Sequence, residues 1–153
     1  MSHVLLIDVE VRDLDALEVA ARRCGLELRR GQRTFRWYGT WLNDFHGADA
    51  AYRHGVRPED YGRCEHALVV PDDAKAYEIG VVRALDRPAF LLVWDTWDGR
   101  LEPLVGAGGG RLKQQYAVAT TRREAARRGH QVRGEVLLPD GTIKLTIKVP
   151  FTC

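Results

Sequence analysis

Gly106-Ala107-Gly108-Gly109-Gly110, running into Arg111-Leu112-Lys113-Gln114-Gln115-Tyr116-Ala117 and on to Arg128, is the stretch on which the reading of this chain turns. A phosphate-binding loop needs lysine and then Ser or Thr directly after its last glycine, and here Gly110 is followed by Arg111-Leu112-Lys113. A dinucleotide fingerprint fails as well, because Arg111 stands where a third glycine lets helix and strand approach. What survives is a flexible, hinge-like entry into a helix, with backbone amides, Arg111 and Lys113 as a candidate anion site. On that helix Leu112, Tyr116, Ala119 and Ala126 recur at helical spacing and mark the packed face.

Working outward, the helix is preceded by a strand-rich half and followed by two strands. Val4 to Val11 alternates, with Leu5, Ile7, Val9 and Val11 on one side and Asp8 and Glu10 on the other, as a half-buried strand requires. Asp13 then caps a helix carrying Leu14, Leu17, Ala21 and Cys24, with Arg22 and Arg23 in its last turn and Gly25 beyond. Leu26 to Trp37 reads as a strand broken near Gly31. His66 to Val70 reads as another, while Ala76–Leu85 and Ala89–Trp94 flank Asp86-Arg87-Pro88 as a hairpin. Gly99 to Gly110 is read as loop. At the end, Val132–Leu138 and Thr142–Val149 flank Pro139-Asp140-Gly141 as a second hairpin, one face of which is wet.

The order is therefore β-α-β, a strand cluster, then α-β-β. That order predicts an α+β fold in one domain over 1–153, a mostly antiparallel sheet with two main helices packed on one face. Periodicity is lost only in an irregular excursion at 39–62.

With 23 Lys+Arg against 21 Asp+Glu there is no global field to hold a polyanion. Three distant cysteines, Cys24, Cys64 and Cys153, do not form a disulfide framework, and the opening MSHVLLIDVEV carries neither a signal peptide nor a membrane span. A soluble, cytoplasmic protein is expected, without membrane association. Ser2 is the only serine, which excludes a serine nucleophile elbow.

The remaining constellations are incomplete. His46, His54, Cys64 and His66 are possible zinc ligands without a zinc-binding spacing, and they define a metal-dependent enzyme as a further alternative. Asp95 and Asp98 could hold a hard cation, but a hairpin end rich in Asp and Trp is ordinarily a turn. Arg122, Arg123, Arg127 and Arg128 point in several directions around the helix; with Arg111 and Lys113, and with Trp37 and Trp41 for base stacking, they define a nucleic-acid alternative. Trp37, Trp41, Trp94, Trp97 and Tyr77 are read as one aromatic, partner-binding surface if exposed and as core if not. No cofactor is implied.

Three places together resemble one known family: the MSH opening with Arg12-Asp13-Leu14-Asp15-Ala16-Leu17, then Gln114-Gln115-Tyr116-Ala117, then Asp140-Gly141-Thr142-Ile143 with Leu145. The chain is similar there to the uncharacterised family first named from a conserved open reading frame of algal chloroplasts and cyanobacteria. The segment from Gly39 to Gly62 carries none of the resemblance. The family implies a small α+β fold and an accessory or adaptor role beside an ATPase of the AAA class, and supplies no catalytic residues. With no complete catalytic constellation, the chain reads as a non-enzymatic adaptor acting through protein–protein contacts.

Overall fold

The alternation of the first stretch becomes strand β1 (Val4–Val11), and Asp13 caps helix α1 (Leu14–Arg23), its side chain accepting from the Ala16 N–H at 3.1 Å. Strands β2 (Glu27–Arg30), β3 (His66–Val69), β4 (Ile79–Arg83) and β5 (Phe90–Asp95) follow. Next come a short helix α2 (Glu102–Val105), the long helix α3 (Gly110–Arg127), and strands β6 (Gln131–Leu137) and β7 (Ile143–Lys148). This computed structural model describes residues 4–39 and 60–150. Trp41, His46, His54 and most of the 39–62 excursion lie outside the described residues.

The fold is α+β, with five strands in the order β1-β5-β4-β3-β2, every neighbouring pair antiparallel. β1 and β2 are opposite edges, so α1, which joins them, crosses one face of the sheet. α1 and α3 lie side by side on that face, and Ala16, Leu17, Ala20 and Ala21 pack with Leu112, Tyr116 and Ala119 over Ile7, Leu68, Ile79, Leu92 and Trp94. Small residues on α1 allow the two helices to approach closely. Complete burial of Leu17 and Leu112 contributes roughly 2 kcal/mol each. The sequence assignment of Ala126 to the packed face is corrected: Ala126 is exposed and Ala125 is buried.

The other face is also covered, which the alternation of β1 did not foretell. Val4 turns toward it with Ala67, Val69, Leu91 and Val93, and Leu5, assigned inward, is exposed; a bulge between Ile7 and Glu10 resets the register. The long strand expected from Leu26 to Trp37 ends at Arg30. Beyond Gly31 the chain leaves the edge, and Phe35 and Trp37 lie across the second face instead. Gly80 is the floor beneath Phe35: a Cβ there would stand 2.5 Å from the ring. Two buried acids hold this crossing segment. Glu78 accepts from the Arg36 N–H at 2.8 Å, and Asp95 accepts from the N–H groups of Tyr38 at 3.1 Å and Trp97 at 3.0 Å. Buried carboxylates need such donors, and here backbone amides supply them.

The loop expected over Gly99–Gly110 contains α2 and a tight turn with left-handed Gly106, Gly108 and Gly109. Gly109 is buried, and a Cβ on it would meet the Ile7 side chain at 2.6 Å. The turn is a packed corner at Gly109 that seats α3 against β1.

Candidate interaction surface

The anion-binding residues suggested at the start of α3 have other partners. Arg111 donates to the Arg23 carbonyl at 3.1 Å, satisfying one of the open carbonyls at the end of α1. Lys113 reaches Asp8 at 3.3 Å.

The arginines later in α3 do not line up as a phosphate track. Arg122 bonds Glu135 on β6; Arg123 bonds Asp13 at 2.6 Å and Asp15 at 3.3 Å; Arg127 lies 3.7 Å from Asp13, and Arg128 bonds Glu124 at 2.9 Å. Arg123 and Arg127 face a cleft of about 1050 Å³ between the start of α1, the end of α3 and β7. The carboxylates opposite them cancel most of its field. Burial pushes the Asp13 carboxyl up, but hydrogen bonds from Ala16 and Arg123 outweigh it and hold the group below the usual carboxylate range.

Among the described residues, Trp37, Tyr77, Trp94 and Trp97 do not form one surface. Trp94 is fully buried under the helices, and Tyr77 packs at the margin of the same core. Trp37 packs on the opposite face beside Tyr61, their ring centroids 6.0 Å apart, and Trp97 is half exposed at the end of β5. Cys64 and His66 do not converge on a shared site. Burial pushes the Cys64 thiol up to about 12 as it donates to the Gln32 carbonyl, while His66 accepts from the Gly31 N–H and stacks edge-on against Phe90. Asp98 likewise accepts from the Tyr77 N–H at 2.9 Å, so it braces a loop.

Among the described residues, exposed large apolar side chains lie on or just beyond β6 and β7, and others, Leu5, Val19, Tyr38, Leu85 and Trp97, are scattered over the rest of the surface. The two strands pair only with each other, as a two-stranded ribbon separate from the sheet. One face of the ribbon carries Val132, Glu135 and Leu137 opposite Ile147, Leu145 and Ile143. Leu137 is 71% exposed, Val149 62%, Val136 53% and Ile147 37%. Three contacts dock the ribbon along α3: Glu135 takes hydrogen bonds from Arg122 and, at 2.8 Å, from Arg23 of α1, and Gln114 donates to the Gly141 carbonyl at 2.7 Å.

Comparison with protein families matches residues 43–146 to a family described as a protein of unknown function, DUF1257. The match covers more than half of the chain. This chain belongs to the DUF1257 family.

No curated protein and no solved structure matches the chain. The DUF1257 match takes in Gln114–Ala117 and Asp140–Ile143 with Leu145, and it also spans 43–62, where no resemblance was read; β1 and α1, with the N-terminal motif, lie outside it. None of the described helices is long and apolar enough to cross a membrane.

The sequence reading left open which strands the last hairpin pairs with, although this DUF1257 chain carries one signal of its separation from the sheet. Glu135 interrupts the apolar row Val132–Leu137 opposite Leu145, and an acid on that row calls for donors from outside the ribbon, which Arg122 and Arg23 supply.

Proposed function

We propose that this DUF1257 protein is a non-enzymatic, cytoplasmic binding protein that docks a protein partner on the β6–β7 ribbon, as an accessory subunit of an ATPase of the AAA class. The observation that carries the reading is the exposure of Val136 and Leu137 on a strand outside the main sheet. Leu137 shares its face with Ile143 and Ile147, while Val136 projects from the opposite face beside Lys144. Exposed apolar side chains rimmed by charge favour a protein contact, and each aliphatic group desolvated there contributes on the order of 1–2 kcal/mol. The partner chemistry that fits is an apolar helix face or strand, with acidic groups opposite Lys144 and Lys148. The family resemblance supplies the ATPase class.

Affinity capture with the tagged chain and with a Val136→Lys/Leu137→Lys variant, read by quantitative mass spectrometry, tests the proposal. The wild-type chain retains an AAA-class ATPase, and the variant retains at least roughly tenfold less, equivalent to about 1.4 kcal/mol. Equal recovery by both chains contradicts the proposal, as does recovery by neither. Salt-sensitive retention of labelled single strands, without any ATPase, points to the nucleic-acid alternative instead.

A further inference from the structure

We infer that the outer edge of β7 pairs with the same edge of a second copy of this chain, joining two ribbons into one four-stranded antiparallel sheet in the order β6-β7-β7-β6. The Leu138 N–H donates to the Thr142 carbonyl at 2.8 Å, so the C=O group of Thr142 points toward β6, while its N–H turns back to Asp140 Oδ1 at 2.9 Å. Antiparallel alternation then turns the peptide groups of Lys144 and Thr146 toward β6 and leaves the N–H and C=O groups of Ile143, Leu145 and Ile147 directed outward. β7 is also the strand less tied by polar contacts: Glu135 bonds β6 to α1 and α3, whereas among the described residues no β7 side chain makes a hydrogen bond or ion pair with the body, and Ile147 of β7 lines the cleft beside it. A lone two-stranded ribbon is marginal in water, and two further strands remedy that.

Self-pairing is possible only in registers that keep the lysines apart. A two-fold pairing centred on Lys144 sets that lysine against its own copy, and one centred on Thr146 sets Lys144 against Lys148 twice; like charges directly opposite destabilise a sheet. Centring on Leu145 avoids both. It places Leu145 opposite Leu145 and Ile143 opposite Ile147 on the apolar face. On the other face it places Lys144 opposite Thr146 and Lys148 opposite Thr142, with the outward peptide groups of Ile143, Leu145 and Ile147 meeting their equivalents. The contact is isologous and closes as a dimer.

Light scattering on the purified chain, across a concentration series, gives twice the 17.3 kDa chain mass at the upper end. Ile147→Lys, which changes a partly exposed side chain, gives the single-chain mass with an unchanged circular dichroism spectrum. The register is read by oxidation in a Cys153→Ser background. Leu145→Cys yields a disulfide-linked dimer, because directly opposed residues lie about 5.5 Å apart at Cα. Ile143→Cys alone yields none, and a mixture of Ile143→Cys and Ile147→Cys chains does. A wild-type chain monomeric throughout the series overturns the inference, and so does a dimer unaffected by Ile147→Lys or cross-linked through Ile143→Cys alone. The Val136→Lys/Leu137→Lys variant keeps the dimer, so the failure of partner docking and the failure of pairing are separate results.

Discussion

Arg23, in the last turn of α1, donates to Glu135 in the middle of β6 at 2.8 Å, across 112 positions of sequence. That contact, shared with Arg122, fixes which way the ribbon faces. Hydrogen bonds from Arg122 and then Arg23 hold the Glu135 carboxyl below the usual range, against a smaller upward push from burial. A depressed folded pKa means that the stabilisation is present above the unfolded value of about 4.3 and is lost as pH falls through the lower folded value. Because the pair is partly exposed and screened, Glu135→Ala lowers global stability by no more than about 1 kcal/mol. Amide exchange in Gln131–Lys148 nevertheless accelerates relative to the five-stranded sheet, as hydrogen exchange will show.

Gly109 and Gly108 separate two causes of glycine dependence. Both are left-handed, but only at Gly109 does an added Cβ strike the Ile7 side chain; at Gly108 it meets open space. Gly108→Ala therefore costs about 1 kcal/mol of backbone strain, and Gly109→Ala roughly 2–4 kcal/mol, strain and overpacking together. Urea unfolding of the two variants measures the difference.

Tyr116 is a structural hydroxyl. Its oxygen accepts from the backbone N–H of Arg12 at 2.9 Å and of Asp13 at 3.2 Å, where β1 hands over to α1. Tyr116→Phe leaves both donors without this acceptor in a mostly buried place and costs about 1–3 kcal/mol. A loss near zero in the same urea assay shows that water replaces the hydroxyl.

His66 gives the fold a mild acid sensitivity. Its Nδ1 accepts from the Gly31 N–H at 3.0 Å, so the proton sits on Nε2 in the neutral ring. Burial lowers its pKa, and Arg30, Arg33 and Arg83 add to the shift while Glu65 opposes it. With the folded value below the unfolded value of about 6.5, the folded state binds fewer protons. Stability falls as pH drops through about 6.5 toward the folded value, with a slope that cannot exceed about 1.4 kcal/mol per pH unit for one proton. His66→Gln flattens that part of the stability–pH curve; an unchanged slope contradicts the assignment.

The fold class was legible because period and punctuation agreed. Val4–Val11, Asp13 before an apolar stripe, and Pro139-Asp140-Gly141 between alternating strands each specify one local structure. Less was legible where tertiary contacts decide. Thr34, Phe35, Trp37 and Tyr38 are strand-favouring types, yet Glu78 and Asp95 draw that segment across the second face of the sheet. Four arginines in α3 look alike in sequence; which carboxylate each one meets depends on how α1 and the ribbon pack. Ile143, Leu145 and Ile147 have the same alternation in a ribbon as in a full sheet, so the pattern fixed the strand without fixing its neighbour.

Hydrogen exchange on the chain alone and with the proposed AAA-class ATPase partner tests the proposed function most directly. The docking proposal predicts slowed exchange centred on Gln131–Leu137, with α1 and the five-stranded sheet unchanged. Protection confined to the cleft between Asp13 and Arg127, or no protection at all in the ribbon, would contradict it.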